Sequence, residues 1–177
     1  MRSGLEGVVA AETSISMVDG MRGELVIGGY PVQDLALNAT FEETIWLLWK
    51  GSLPEDVGAF RRDLASRRTM SKAALDRLAS AAAERVDPMD ALRMALGSAT
   101  GKDEEDARNV VAIFPSIVAT YWRLLHGRDP IIPRADLGHA ANYLFMLTGK
   151  VPTENRVRGL ETYLNTDRKS TRLNSSH

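Results

Sequence analysis

The stretch EEDARNVVAIFPSIVATYWRLLH, residues 104–126, decides the fold because it is the longest apolar run in the chain. Acidic residues occupy its first turn, where carboxylates suit the positive end of a helix dipole, and Gly127 follows it as a helix-ending residue. The pattern predicts one long helix. A helix that is apolar on nearly every side belongs inside a helical core or between two copies of one. Pro115 removes a backbone donor and predicts a bend.

A membrane span is the alternative interpretation of residues 104–126. Pro115, Ser116, Thr120 and Arg123 interrupt the run. The remaining apolar stretch falls short of the roughly 20 residues that a bilayer requires. The sequence therefore favours a core helix and predicts no membrane partner.

Composition sets modest bounds on the function. A chain of 177 residues is long enough for one domain with a real core. The net charge of −1, from 22 basic and 23 acidic residues, predicts no nucleic-acid partner. The absence of cysteine excludes disulfides, thiolate zinc sites and cysteine nucleophiles, and it fits a reducing compartment. The polar start MRSGLEG does not fit a signal peptide, so we predict a cytoplasmic protein.

Only the first thirty residues do not predict helix. Ile15 and residues 25–27 are short β-like runs on either side of the turn-forming pair Asp19 and Gly20. This pattern predicts a small hairpin, with Gly28 and Gly29 marking its exit. A phosphate-binding loop is the alternative, but no GxGxxG occurs and no Lys-Ser/Thr follows a glycine run.

From Pro31 onward the pattern is helix after helix. Thr40 and Glu43 form a capping box ahead of residues 41–49, which are so apolar that we predict a buried helix. Pro54 is predicted at the first position of the next helix. Its arginines could bind an anion, but the pattern favours a solvated face: Arg61, Arg62, Arg67 and Arg68.

Further helices flank the long one on both sides. Ser71 and Asp87 are predicted caps. The apolar stripes predicted after them are Leu75, Leu78, Ala79, Ala82 and Val86 in the first helix, and Met89, Leu92, Ala95 and Leu96 in the second. After a proline-marked loop, Asp136 is predicted to cap residues 137–147, and Pro152 and Thr153 to begin a last helix. The stripe of that last helix is Val157, Leu160 and Leu164. The predicted fold class is all-α, a multi-helical array with a small N-terminal hairpin.

The residues by themselves predict no catalytic, cofactor-binding or metal site. His126, His139 and His177 are separated by 13 and 38 residues, which matches no metal-ligand spacing. His139 is predicted to be a buried, hydrogen-bonded structural histidine. No GxSxG elbow and no pair of acidic residues in a glycosidase context occurs. Local chemistry leaves a helical domain without an assigned purpose.

Six separated blocks between residues 4 and 166 nevertheless resemble the start of a bacterial citrate synthase, in the family's order and spacing. The blocks are GLEGVVAAETSIS (4–16), GELVIGGYPVQDLA (23–36), FEETIWLLWKGSLP (41–54), PMDALRMAL (88–96), LGHAANYLFMLTGKVPT (137–153) and GLETYLNT (159–166). The resemblance implies that residues 1–166 are the N-terminal part of the family's large helical domain, in truncated form.

The resemblance also implies a function and an assembly. Citrate synthases condense acetyl-CoA with oxaloacetate to give citrate and CoA, without a resident cofactor, and they form homodimers through packed helices. Two histidines and an aspartate enolise acetyl-CoA and activate oxaloacetate, by general acid–base catalysis in a closed, dry site. All of these motifs lie in the family's C-terminal half. None has a matching position here, so the fragment is expected to be inactive, and residues 104–126 and 137–147 are expected at the dimer interface.

Residues 167–177, DRKSTRLNSSH, depart from the family pattern. His177 follows the Leu173-Asn174 pair, whereas the family's substrate-contacting histidine precedes such a pair. We therefore assign His177 no function and predict a disordered tail.

Two alternatives remain open at this stage. A 2-methylcitrate synthase, which accepts propionyl-CoA, would share this N-terminal pattern. A stand-alone helical dimerisation module without catalysis would also fit.

Deletion of residues 167–177 should leave the melting temperature unchanged, because the segment has no apolar stripe to pack. Thermal unfolding followed by circular dichroism provides the comparison. A drop of several degrees would show that the tail packs on the domain.

Overall fold

A computed structural model describes residues 15–19, 21–98 and 105–166, in which a three-stranded sheet precedes eight helices. The elements are β1 (Ser16–Asp19), β2 (Glu24–Ile27), β3 (Tyr30–Pro31), α1 (Val32–Asn38), α2 (Phe41–Lys50), α3 (Gly58–Ser66), α4 (Lys72–Ala83), α5 (Pro88–Leu96), α6 (Glu105–Leu125), α7 (His139–Thr148) and α8 (Glu154–Thr166). The prediction of an all-α array with a small hairpin is confirmed. The tail 167–177, with His177, lies outside the described residues.

The sheet is antiparallel with the order β1-β2-β3. The predicted hairpin pairs Ser16 with Ile27, and β3 adds a short third strand that the sequence did not predict. Gly28 lies at φ +56°, and a Cβ there would come within 2.8 Å of the Leu47 side chain on α2. The close approach of α2, together with a left-handed backbone, explains this glycine without a phosphate ligand.

The first turn of α2 has the predicted capping box. The Thr40 amide donates to Glu43 Oε2 at 2.7 Å, and the Glu43 amide donates to Thr40 Oγ1 at 3.3 Å. The prediction that the apolar side chains of this helix are buried was partly wrong. Leu47 is buried, but so are Glu42 and Thr44, whereas Trp49 remains exposed.

Two predictions for α3 were wrong. The helix begins at Gly58, whose amide donates to Asp56 Oδ1 at 2.7 Å, and Pro54 lies in the preceding loop. Arg68, predicted on a solvated face, is only 1% exposed. Its Nη1 donates to the carbonyl oxygens of Arg134 at 3.1 Å and Leu137 at 2.7 Å. The guanidinium is buried because carbonyl oxygens of a loop distant in sequence accept its hydrogen bonds.

The main core lies where α4 and α5 pack against α6. Ser71 and Asp87 cap their helices as predicted. Most of the predicted stripe residues face this core: Leu78, Leu92 and Ala95 are buried in it, and Ala82, Val86 and Leu96 pack against it. Two were wrong, since Ala79 and Met89 face solvent. The buried residues that make up this core are Leu78, Ala81, Ala91, Leu92, Ala95, Ile113, Ile117 and Tyr121.

Helix α6 is central, as predicted, and contacts α3, α4, α5 and α7. Pro115 lies within the continuous helix. At the C-terminal end the Arg128 amide donates back to the carbonyl of Arg123 at 2.9 Å, while Gly127 adopts φ +64°. Burial covers most of its circumference, but Phe114 and Trp122 remain exposed. Within the described part of the chain, neither α6 nor any other helix is long and apolar enough to span a membrane.

Helix α7 begins at His139 and not at Leu137, and Asp136 does not cap it. Asp136 instead pairs with Arg134. The backbone amide of His139 donates to Glu42 Oε1 at 2.8 Å, so the first turn of α7 is satisfied by a carboxylate from α2, 97 residues away. A tertiary contact therefore replaces the local cap, and it suits the positive end of the helix dipole.

Helix α8 packs its polar side inward, contrary to the predicted apolar stripe. Arg158 donates to the carbonyl oxygens of Ala36 and Ala39. Asn165 donates to Ala39 at 2.9 Å and to Leu35 at 3.3 Å. These bonds satisfy carbonyls at the C-terminal end of α1, where the Leu35 carbonyl also accepts from the Ala39 amide at 3.0 Å. The predicted stripe residues Leu160 and Leu164 therefore lie on the opposite, more exposed side.

Substitution of Glu42 by Leu should destabilise the fold strongly. It removes a buried acceptor of the α7 amide and the carboxylate that pairs with Arg61, for which we expect about 3 kcal/mol. Glu42→Gln is the matched control, because its amide oxygen can still accept from His139. Urea unfolding of both variants should show a smaller loss for Gln. Equal losses would mean that the bond to His139 contributes nothing.

Candidate functional site

An apolar groove opens where α6, α7 and α8 meet Phe41 of α2. Its volume is about 470 Å³. Three of its lining residues carry polar side-chain atoms: His139, Tyr143 and Tyr163. The lining residues are Phe41, Val110, Val111, Phe114, Pro115, Val118, His139, Ala140, Tyr143, Leu160, Tyr163 and Leu164. Tyr163 lies at the outer rim and is more than half exposed.

His139 carries the imidazole among the side chains that line this groove. The side chain is 3% exposed and stacks on Phe41, with ring centroids 4.6 Å apart. Burial, helped by the positive charge of Arg68, lowers the pKa of His139 to about 3, so the imidazole is neutral at pH 7. The prediction of a buried histidine is confirmed. The prediction of a hydrogen-bonded ring was wrong for Nδ1, which has no partner among the described residues.

A cluster of charged side chains, Glu42, Arg61 and Arg68, lies next to His139 at the start of α7. Glu42 is fully buried, and Arg61 Nε lies 3.4 Å from its Oε1 atom. Burial lowers the pKa of Arg68, and the negative charge of Glu42 opposes that shift. Because Oε1 also accepts from the His139 amide, the cluster holds the start of α7, and with it the imidazole, against α2.

The other histidines do not join His139. His126 lies at the exposed end of α6, where its ring is 4.3 Å from that of Trp122 and its Nδ1 is 2.7 Å from the Trp122 carbonyl oxygen. His177 lies outside the described residues. The described part of the chain contains no cluster of histidine, cysteine and acidic residues that could hold a metal ion.

The groove suits an apolar occupant with one hydrogen-bonding group. Burial raises the pKa of Tyr143, so its phenol stays protonated at pH 7. Among the described residues that line the groove there is no carboxylate and no arginine. The sequence indicates that His139 is buried, but it shows neither the groove nor the burial of Glu42. Glu42 lies in the first turn of α2, where an acidic residue is expected to interact with the dipole of its own helix. Its hydrogen bond to the His139 amide is visible only in the tertiary structure.

Sequence comparison places this arrangement among known proteins. The family described as "Citrate synthase, C-terminal domain" matches residues 4–167. A citrate synthase of Haloferax volcanii is 38% identical over 170 residues, covering 87% of this chain and 45% of the relative. A 2-methylcitrate synthase of Mycobacterium tuberculosis is 39% identical over 173 residues, covering 91% of this chain and 44% of the relative. The chain therefore spans less than half the length of these relatives.

The solved structures that resemble this chain are also citrate synthases. The citrate synthase of Pyrobaculum aerophilum superposes with a TM-score of 0.82 at 31% identity, covering 91% of this chain and 45% of that one. The citrate synthase of Thermotoga maritima superposes with a TM-score of 0.75 at 35% identity, covering 92% and 45%. The resemblance seen in the six sequence blocks is confirmed. The helical array around α6 and the matched sequence together show that this chain belongs to the citrate synthase family.

Proposed function

We propose that the complete protein containing this chain condenses acetyl-CoA with oxaloacetate to give citrate and CoA. The observation that carries the proposal is the match of residues 4–167 to the family, supported by the TM-score of 0.82 to a solved citrate synthase. The reaction is an acyl transfer with carbon–carbon bond formation, and its substrates are small molecules. No resident cofactor is proposed. The cysteine-free composition supports a cytoplasmic location.

Within that protein, we propose that this chain supplies scaffold and not catalytic groups. Enolisation of a thioester needs a base placed at the acidic carbon and charge stabilisation in a dry site. The groove offers a neutral imidazole whose pKa is about 3, which makes it a poor base at neutral pH. We assign no catalytic, cofactor-binding or metal-binding residue to residues 1–177, and we propose that residues 1–166 form part of the large domain.

Two other functions have support of their own. The 39% identity to a 2-methylcitrate synthase, at similar coverage, supports condensation of propionyl-CoA as the second candidate. A helical dimerisation module is the third, supported by the exposed apolar side chains of α6.

The chain alone should show no oxaloacetate-dependent release of thiol from acetyl-CoA or propionyl-CoA. The physical reason is that an imidazole whose pKa is lowered to about 3 is a poor base for enolising a thioester at neutral pH. Colour formation by a thiol reagent measures the release, with full-length citrate synthase of Thermotoga maritima as the positive control. Release above the no-oxaloacetate blank would show that the chain carries its own catalytic groups.

We further propose that the protein is a homodimer whose interface includes α6. Helix α7 packs against α6 of the same chain, with Ala140 buried, so the small residues of α7 already serve an internal contact. Phe114 and Trp122 leave the outer side of α6 apolar and exposed. Obligate interfaces of this apolar kind commonly bury roughly 2,000 Å² or more.

Substitution Trp122→Glu should weaken self-association at least tenfold, because a carboxylate placed in an apolar interface must lose its hydration. Trp49→Glu is the matched control, since Trp49 on α2 and Trp122 are both 39% exposed. Sedimentation velocity at micromolar concentration gives the association state. A folded monomer of the unsubstituted chain, or equal weakening by the two variants, would contradict an interface on α6.

A further inference from the structure

A second cleft lies between α2, α3 and the start of α6, and it combines aromatic with cationic side chains. Its lining residues are Trp46, Trp49, Lys50, Phe60, Ala107 and Arg108. The volume of this aromatic cleft is about 480 Å³, a size typical of pockets that bind small molecules. It differs in kind from the groove between α6, α7 and α8, whose described lining carries no lysine and no arginine.

Three aromatic rings form one wall of the aromatic cleft. The ring of Phe60 lies steeply inclined to the indoles of Trp46 and Trp49, with centroid distances of 5.4 Å and 5.7 Å. Phe60 is buried, whereas Trp49 remains partly exposed. The Trp49 indole is therefore held in place by an aromatic contact and still accessible from solvent. Such a surface suits a planar ring, because offset stacking on an indole is favourable.

Lys50 and Arg108 bring positive charge to the same cleft. The exposed Lys50 has no ion pair among the described residues. Arg108 Nη1 lies 3.4 Å from Asp63 Oδ2, while Asp63 Oδ1 accepts from Arg67 Nε at 2.8 Å. One carboxylate is thus shared between two arginines, and the cleft keeps a net positive charge. Lysine and arginine at one pocket fit an anionic group.

Structural roles explain only one of these two cations. Lys50 ends α2, where a positive charge suits the negative end of the helix dipole. Arg108 lies near the N-terminal end of α6 (Glu105–Leu125), where the dipole disfavours a positive charge. The long contact with the shared carboxylate of Asp63 compensates little of this repulsion. An anion bound in the cleft would compensate it directly.

We propose that the aromatic cleft binds a planar aromatic anion, whose ring stacks on Trp49 and whose charged group pairs with Lys50 and Arg108. Nucleotides and aromatic carboxylates share this chemistry. The site goes beyond the proposed condensation, because no residue of the cleft has a role in that reaction.

Tryptophan fluorescence reports on this site, because two of the three tryptophans of the chain line it. Trp122→Phe removes the third and gives the background in which the whole chain is titrated. The probes are adenosine monophosphate and naphthoate, and their uncharged counterparts are adenosine and naphthamide. At least one of the two anions should quench the fluorescence saturably. Its uncharged counterpart should bind at least tenfold more weakly, because it cannot pair with the two cations.

Variants place the binding in the aromatic cleft. Lys50→Met and Arg108→Met should each weaken binding of the anion at least fivefold, and Trp49→Leu should weaken it through loss of the stacking surface. Arg128→Met is the matched control and should change nothing, since its guanidinium lies 5.4 Å from the ring of Trp122, outside the cleft. Isothermal titration calorimetry measures all variants, because Trp49→Leu removes part of the fluorescence signal. Circular dichroism confirms that each variant is folded.

Three results would overturn the proposal. They are no saturable binding of either anion at millimolar concentration, equal binding of the anions and their uncharged counterparts, or equal weakening by Arg108→Met and Arg128→Met. Binding of adenosine monophosphate alone would support the proposal with a nucleotide as the ligand, and binding of naphthoate alone would support it with an aromatic carboxylate. The measurement involves no catalysis, so failure of the proposed condensation reaction would leave the assignment of the cleft standing.

Discussion

The hydrogen bond between the buried carboxylate of Glu42 and the backbone amide of His139 is the contact on which the rest of the site depends. It joins residues 97 positions apart at 2.8 Å and sets where α7 begins. Helix N-termini need acceptors, and the fully buried carboxylate of Glu42 supplies one. Arg61 and Arg68 complete its surroundings. The same contact places the His139 ring on Phe41 and so forms one end of the groove.

Arginine side chains repeat this principle elsewhere in the fold. Arg68, Arg123 and Arg158 each donate to carbonyl oxygens of segments distant in the chain or at helix ends. A planar guanidinium with several donors can satisfy two carbonyls at once, which a lysine cannot do in the same geometry. The helices are therefore joined by polar contacts at their ends, while apolar packing around α6 fills the middle.

The inward orientation of the polar side of α8 explains why the groove is lined by apolar side chains. Polar groups of α8 are used inward, against α1, so its apolar side chains remain on the outside beside α6 and α7. The chain spans less than half the length of the relatives that it matches.

The sequence by itself determined the all-α class, the hairpin, the capping box at Thr40, the central helix and the family, because these depend on local pattern and spacing. It also indicated that His139 is buried. Only the tertiary structure decided that Glu42 and Arg68 are buried, that α8 turns its polar side inward, and that α7 starts at His139. Each of these depends on an acceptor or donor from a distant segment, and no local pattern records such a partner.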